Sequence, residues 1–495
     1  MTAADSDRGW RRLSARMLLI HPIQELPRAL PALLGVFAAG SSSGQGELWA
    51  AAGVAITVGL GLMRWFTTRY RVTEDRVEVR QGLLRRRLLA VSRDRVRSVD
   101  ITSPALHRLL GLTRVTVGTG RSDREGGGSV RLDGLTAGEA GALRDELLRR
   151  GAAMPAAGRP EARAAPEPAE IELARLDPAW VRYAPFTLSG AVAVGAAAGF
   201  LSNAANEAHV GTDDFGPLRR VTDQLGRAPL VLALVEIAAL VLVAVTVTST
   251  MGYLLAFWNF RLARRAGGTL HVTRGLITTR STTIEERRLH GVEISEPLLL
   301  RLVRGARCVA IATGLRSGRG SERGGSLLLP PAPRPEADRV GAAVVGSEEP
   351  LHTPLAPHGP SARRRRYTRA LGGWALVVLL AAALSALTGW SGWPWQVALA
   401  LLPATLALAA DRYRNLGHAV AGATLVTRAG SLVRRRDVLR CDGIIGWNLE
   451  RSLFQRRSGL ATLTATPRPA GSATRCRTSR SGRPSTWPKA SYPVC

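Results

Sequence analysis

Few residues in the sequence have the types and the spacing that catalysis or metal binding requires. The four cysteines show no spacing typical of metal ligands. Lys489 is the only lysine, and it does not follow a glycine, which excludes a phosphate-binding P-loop. His107, His271 and His290 occur singly, and no His-Glu-x-x-His motif is present. We therefore predict that the protein is not an enzyme, that it uses no cofactor and that it binds no metal.

Arginine is the one chemically distinctive residue that the sequence supplies in clusters. The 67 basic residues exceed the 38 acidic residues, which gives a formal net charge of +29. Two clusters each follow a glycine by a few residues, and they comprise Arg85, Arg86, Arg87, Arg434, Arg435 and Arg436. A basic loop held beside anionic lipid gains about 1 kcal/mol per arginine. These six residues are our candidate lipid contacts. The alternative is that the charge only sets membrane topology and binds no specific ligand.

Long apolar segments must position these clusters. Residues 29–46, 48–63, 183–206 and 237–260 carry no charge, and residues 370–410 are uncharged for long enough to form two helices around a tryptophan-rich turn. A helix needs about 20 apolar residues to cross a bilayer. Helices buried in a soluble core rarely run this long without a polar face. The sequence therefore predicts six transmembrane helices in three hairpins.

The distribution of charge around these segments predicts their orientation. The loops near Glu47 and Trp393 contain no basic residue. The opposite ends of the hairpins carry Arg64, Arg69, Arg71, Arg261, Arg264, Arg265, Arg363, Arg364, Arg365, Arg366, Arg412 and Arg414. The positive-inside rule then places both termini and the large polar segments in the cytoplasm. Glu236 either marks the outer interface of the fourth span or is a functional carboxylate within the membrane.

A polar segment of similar sequence follows each hairpin. Residues 77–82 match residues 270–275 after a shift of 193 and residues 425–430 after a shift of 348. Residues 95–104 (RVRSVDITSP) likewise match residues 288–297 (RLHGVEISEP). Matches that keep their order and spacing indicate internal repetition. The sequence therefore predicts three copies of one domain.

Within a repeat, the pattern is that of short strands followed by one helix. Alternating runs such as residues 76–79 and 114–117 are typical of strands. Gly82 and Gly275 each lie between two runs, where a tight hairpin needs a positive φ. A helical stretch over residues 137–149 ends the first repeat. Several strands followed by one helix predict a small β-barrel covered at one end by that helix.

Two apolar spans followed by such a segment resemble the bacterial pleckstrin-homology (PH) domain membrane proteins of the YdbS/YdbT type. The resemblance rests on runs such as RVRSVD, RLLGL and the later Thr-Gly pair of the first repeat, and it covers about residues 20–466. The three-fold arrangement is similar to the larger, YdbT-like members. The resemblance implies a PH-like barrel and a membrane location, and it implies no enzymatic activity.

The predicted fold is a membrane α plus β protein with three transmembrane hairpins, each followed by a cytoplasmic PH-like barrel with a C-terminal helix. The segments are a basic cytoplasmic N-terminus (residues 1–28), hairpin 1 (29–68), PH-like domain 1 (69–150), a linker (151–181), hairpin 2 (182–260), PH-like domain 2 (261–346), a linker (347–369), hairpin 3 (370–411), a partial PH-like domain 3 (412–466) and a tail (467–495).

The tail breaks the repeat pattern. Residues 467–495 contain no leucine or isoleucine. We therefore expect that the third barrel is incomplete and lacks its last strand and helix. The tail is either the product of a shifted reading frame or a natural disordered segment.

The function favoured by the sequence is a non-enzymatic scaffold in the cell membrane. Its partners are the membrane itself, possible anionic phospholipid headgroups, and protein partners or further copies of the repeats. A transporter or a transport accessory is the alternative, which would need polar or broken helices near the middle of the bilayer. A nucleic-acid binder is excluded by the six spans and by the absence of an aromatic and basic binding face.

Overall fold

The computed structural model describes most of the three repeats. The described residues are 10–20, 23, 51–55, 59, 63, 66–73, 76–81, 87–92, 96, 98–118, 129–149, 170–207, 230–265, 267–312, 326–389, 392–467 and 474–480. The first predicted hairpin, residues 29–68, lies largely outside them.

The described residues of the first repeat form seven strands and two helices. They are β1 (Arg11–Arg12), β2 (Arg69–Val72), β3 (Arg76–Gln81), β4 (Arg87–Ser92), β5 (Ser98–Ser103), α1 (Ala105–Leu109), β6 (Leu112–Gly118), β7 (Ser129–Thr136) and α2 (Ala137–Arg149). The predicted strands and the predicted C-terminal helix of this repeat are confirmed.

The second repeat has the same order of strands, with two long helices inserted after its first strand. Its elements are β8 (Ile171–Arg175), a 3-10 helix (Pro178–Phe186), α3 (Leu188–Glu207), α4 (Leu230–Phe257), β9 (Arg261–Arg265), β10 (Thr269–Arg274), β11 (Thr279–Glu285), β12 (Leu289–Pro297), α5 (Leu298–Leu302), β13 (Gly305–Ala312), β14 (Leu327–Pro333), α6 (Arg334–Val345) and α7 (Glu349–His352).

The third repeat follows the same plan. Its elements are β15 (Ala356–Pro357), α8 (Gly359–Thr388), α9 (Trp393–Ala400), α10 (Leu402–Arg414), β16 (Gly417–Ala421), β17 (Thr424–Ala429), β18 (Val433–Arg440), β19 (Ile444–Glu450), α11 (Leu453–Arg457), β20 (Leu460–Pro467) and β21 (Thr474–Arg480). The expectation that the last strand is missing is wrong, because β21 pairs with β20 in antiparallel fashion.

A strand that precedes each pair of apolar segments belongs to the sheet that follows them. β1 pairs with β2, β8 pairs with β9, and β15 pairs with β16, all antiparallel. Each repeat therefore begins before its hairpin, and the hairpin is an insertion between the first and second strands. Sequence patterns do not reveal this, because the hairpin separates the two partners.

Glycine fixes the turn that recurs between the third and fourth strands. Gly275 and Gly430 have φ values of +108° and +110°. A Cβ at either position would clash with the backbone carbonyl three residues later, so only glycine fits without rearrangement. The turn predicted at Gly275 is confirmed, and Gly82 lies outside the described residues.

Successive repeats share their sheets. The last three strands of the first repeat and the first four strands of the second form one seven-stranded sheet, in which β5 pairs with β11. A second seven-stranded sheet joins the second and third repeats, in which β12 pairs with β18. The first four strands and the last three strands of the chain form separate sheets, bounded by β4 and by β19.

In the first and second repeats, the core lies between the two sheets of the repeat and its C-terminal helix. In the first repeat, Val79 of the first sheet, Val117 of the second sheet and Leu143 of α2 belong to one buried cluster. In the second repeat, Leu270, Ala310 and Val340 are combined in the same way. The core of the second repeat also contains Val426 and Val438 of the third repeat. The next repeat thus supplies part of the hydrophobic packing.

Within the part of the chain that the structure describes, three helices are long and apolar enough to cross a membrane. They are Val235–Phe257, Gly359–Thr388 and Trp393–Arg414, and their side chains are almost entirely exposed on the protein surface. A shorter apolar helix, Ser189–Gly199, lies within the segment predicted as the third span. Exposed apolar helices of this length are typical of a membrane protein.

Candidate functional site: the junctions between repeats

The second arginine cluster lies on β18, at the junction of the second and third repeats. β18 pairs with β12 so that Arg434 is opposite Glu296 and Arg435 is opposite Ser295. The strand pairing places the cluster against acidic side chains of the preceding repeat.

Glu296 is the centre of the polar contacts at this junction. Its side chain is 4% exposed, and both Arg434 of β18 and Arg334 of α6 contact its carboxylate. Arg434 Nε donates to Glu296 Oε2 over 2.8 Å. Arg334 also pairs with Asp338 one turn along the helix, at 2.9 Å. A buried carboxylate thus links a strand of the third repeat to a helix of the second. A buried charge is unfavourable unless it is paired, and the two arginines pair this one.

Arg436 is buried and serves as a donor to backbone. Its Nη2 donates to the carbonyl oxygens of Pro350 and Thr353, each over 2.9 Å. Burial, together with the charges of nearby Arg334 and Arg428, lowers the pKa of Arg436 to about 10. This arginine holds the segment around α7 against the third repeat.

Arg435 forms an ion pair that recurs at the other junction. Arg435 Nε lies 3.3 Å from Glu293 Oε1. At the junction of the first and second repeats, Arg280 Nη2 lies 3.3 Å from Asp100 Oδ2. Thr282 also donates to Asp100, over 2.6 Å. The same cross-strand pair of charges is therefore built twice.

The two junctions also have the same register. Asp100 is paired with Thr282 in the first junction, and the residues 193 and 155 positions later, Glu293 and Asp437, are paired in the second. Asp437 thus faces another carboxylate across the strands. Burial and the charge of Glu293 raise the pKa of Asp437, whereas Arg435 opposes this shift.

The first arginine cluster is described only in part. Arg85 and Arg86 lie outside the described residues, and Arg87 begins β4, with no description of its side chain. By the repeat shift, Arg87 occupies the position of Arg280 and Arg435. Lipid contact by the six arginines stays a prediction, although Arg434 and Arg436 now have contacts within the protein.

Glu296 and Arg334 were not singled out by the sequence patterns. The available signal is that an acidic residue recurs at equivalent strand positions, as Asp100 and Glu293. Among the described residues, no group of three or more His, Cys, Asp or Glu side chains could hold a metal ion. His358 and His418 lie together, with ring centroids 4.8 Å apart, but they are only a pair.

These features define a class of protein in which repeated two-sheet domains with a covering helix are fused to membrane-type hairpins. A family model, bPH_2, described as bacterial PH domain, matches residues 26–151, 224–344 and 372–477, which together make up more than two thirds of the chain. The chain belongs to the bacterial PH domain family. No curated protein and no solved structure matches it.

Proposed function

We propose that this protein is a non-enzymatic membrane scaffold with three PH-like repeats on the cytoplasmic face of the cell membrane. Six helices in three hairpins would cross the bilayer, and the two sheets and helix of each repeat would form a PH-like barrel. The family match and the three exposed apolar helices support the location. The arginine-rich ends of the hairpins support the orientation.

The observation that carries the scaffold proposal is the sharing of sheets between repeats. A backbone ladder joins β5 to β11 and β12 to β18, so the repeats are held in a fixed order and spacing. A rigid array with its hairpins at equivalent places suits a role in holding partners beside the membrane. In this proposal, the array binds anionic phospholipid, a protein partner or further repeats.

Arg85, Arg86 and Arg87 are the residues that we propose for lipid contact. They follow Gly82 in the sequence of the first repeat, and β4, which begins at Arg87, has no second neighbour among the described strands. Arg434 and Arg436, by contrast, are engaged by Glu296 and by backbone carbonyls. The first cluster is therefore the better candidate for the membrane surface.

The test is retention of phosphatidylglycerol by the full chain in detergent, measured by native mass spectrometry. The variant with Arg85→Ser, Arg86→Ser and Arg87→Ser should retain fewer phosphatidylglycerol molecules than the parent. The matched control replaces the exposed Arg451, Arg456 and Arg457 by serine, which removes the same charge elsewhere. Equal retention by both variants and the parent would refute the lipid contact.

Transport is the second candidate, and one residue favours it. Glu236 lies inside the apolar part of α4 and is exposed on the helix surface. A carboxylate within a span is a functional candidate by default. If Glu236→Gln abolished a proton or ion flux catalysed by the chain in liposomes, transport would replace the scaffold proposal.

A further inference from the structure

We propose that copies of this protein assemble head to tail, by pairing β19 of one copy with β4 of the next. Two sheets are not shared between repeats, and β4 and β19 each form one edge of such a sheet. Among the described strands, neither has a second neighbour. A sheet edge with an unused backbone ladder is a template for pairing with another chain.

The two edges are the complementary halves of a junction that the chain already forms twice. β4 is the equivalent of β11 and β18, since Arg87 corresponds to Arg280 and Arg435. β19 is the equivalent of β5 and β12, since Asn448 corresponds to Asp100 and Glu293. Each of the two existing junctions joins one strand of each kind. A second copy is thus the occupant that the fold specifies.

Apolar residues that are buried at the existing junctions have exposed counterparts at these edges. Val292 and Ile294 of β12 have no exposed surface, whereas the equivalent Trp447 and Leu449 of β19 are 40% and 53% exposed. On β4, Leu88 is 61% exposed. The exposed side chains therefore lie on strands that need a partner.

The register of the existing junctions aligns these apolar residues. Transferred to the two edges, it places Trp447 opposite Ala90 and Leu449 opposite Leu88. It also places Glu450 opposite Arg87, where the existing junctions have Thr102 opposite Arg280 and Ser295 opposite Arg435. Cross-strand apolar and opposite-charge pairs of this kind each contribute about 0.2–1 kcal/mol.

A helix supplied from elsewhere is the competing occupant, because the third repeat has no described counterpart of α6. In the second repeat, the side chain of Ile294 lies next to Gly341 of α6. A helix at that place would cover the face of β19 but would leave its backbone edge unpaired. It would also leave Leu88 of β4 exposed. Only a second copy of the protein would pair the backbone edges of both β4 and β19 through a single type of interface.

The interface is heterologous, since different surfaces of the two copies meet. Such contacts form rings when the rotation closes and open filaments when it does not. The inference deepens the proposed scaffold function and rests on it in one respect, namely that repeats associate through their sheets. Lipid contact is a separate claim that is carried by Arg85 and Arg86, because Arg87 would face Glu450 of the next copy in this assembly.

The test uses disulfide formation between two differently tagged full-length copies in detergent. One copy carries Ala90→Cys and the other Trp447→Cys, with Cys441, Cys476 and Cys495 replaced by serine and the buried Cys308 retained. We expect a disulfide between the copies, with a yield about tenfold above that of Ala90→Cys with Ile445→Cys, because positions two residues out of register are too far apart.

Light scattering on the chain with its native cysteines supplies a second readout. The parent should have a mass of at least two copies, and Leu88→Lys should reduce it to one copy of 52.8 kDa. Leu302→Lys is the matched control, because Leu302 is 72% exposed on α5 of the second repeat, whereas β4 and β19 belong to the first and third repeats. This control should leave the assembly unchanged.

A monomeric parent at micromolar concentration would overturn the proposal, even if another protein were bound at β19. Equal disulfide yields for the in-register and shifted pairs would also overturn it. Retention of phosphatidylglycerol is measured on the same preparations. A parent that is monomeric but retains phosphatidylglycerol through the first arginine cluster contradicts this inference alone. A parent that assembles but retains as much phosphatidylglycerol as its Arg85→Ser, Arg86→Ser and Arg87→Ser variant contradicts the lipid contact alone.

Discussion

Asp100 of the first repeat and Arg280 of the second form an ion pair across β5 and β11, with 3.3 Å between Oδ2 and Nη2. Glu293 and Arg435 repeat this pair between the second and third repeats, also at 3.3 Å. Partly exposed pairs contribute at most about 1 kcal/mol each. The main role of these ion pairs is therefore to fix the register of the paired strands. A slip of one residue would turn every side chain to the opposite face of the sheet.

Glu296 should contribute more to stability than any exposed ion pair. Glu296→Ala leaves Arg334 and Arg434 without their shared carboxylate in a buried place. Breaking a buried charge pair by removing one partner costs about 3–5 kcal/mol. We expect a loss of that order in the free energy of unfolding, measured with denaturant in detergent micelles.

Glu336→Ala is the control for this change. Glu336 pairs with Arg339 on the more exposed surface of α6, where Arg339 is about half exposed. Its removal should cost less than about 1 kcal/mol. Equal losses for the two variants would show that Glu296 is not the centre of the junction.

Gly291 should be required for the close approach of the second and third repeats. A Cβ at this position would clash with the carbonyl oxygen of Val438 on the neighbouring strand. The first junction has Ser98 at the equivalent place, so the strands can separate enough to admit a side chain. Gly291→Ala should therefore cost about 1–3 kcal/mol in the free energy of unfolding.

Gly446 offers a matched comparison, because it is the equivalent residue of the third repeat and nothing lies within 4 Å of an added Cβ. Gly446→Ala, measured at a dilution where the chain is monomeric, should raise stability by about 0.5 kcal/mol through the lower entropy of the unfolded chain. If Gly291→Ala were equally harmless, the junction would not be as tightly packed as described.

His271 should make the protein less stable in mild acid. Burial lowers its pKa from 6.5 to about 4, with smaller contributions from Arg265, Arg144 and Arg261 that Glu170 opposes. The neutral ring contacts the hydroxyl groups of Thr283 and Ser281. Because the folded pKa is depressed, the stabilisation is present above pH 6.5 and is lost as the pH falls towards 4.

The expected result is a melting temperature that falls between pH 7 and pH 4.5 in the parent and falls less in His271→Gln. Melting is followed by intrinsic tryptophan fluorescence in detergent. His352→Gln, at an exposed residue of α7, should keep the slope of the parent. An unchanged slope for His271→Gln would assign the acid sensitivity to other groups.

Much of the fold follows from patterns that are local in the chain. The strands around Val77 and Val115 and the helix over residues 137–149 are where alternation and helical spacing predict them. Leu135, Leu143 and Leu147 are buried. Short-range periodicity is sufficient here, because each element buries one face of its own residues.

The features of the fold that the sequence patterns did not predict depend on contacts between residues that are distant in the chain. β8 is joined to β9 only across the whole second hairpin, and no local signal marks it as part of the sheet. The pairing of β5 with β11 instead of with its own β4 is equally invisible, because edge strands look alike in sequence. An arginine cluster also has the same sequence pattern whether its side chains contact lipid or, like Arg434, a buried glutamate.

The central claim is that successive repeats share sheets, and a disulfide within one chain tests it most directly. Thr102 and Arg280 are opposed across the first junction. The variant with Thr102→Cys and Arg280→Cys should form an intramolecular disulfide, detected as a linked peptide by mass spectrometry without reductant. The comparison variant, Thr102→Cys with Arg87→Cys, would be linked only if β5 paired with β4 of its own repeat. Sharing of sheets between repeats predicts the first disulfide and not the second, and the opposite result would show that each repeat keeps its own sheet.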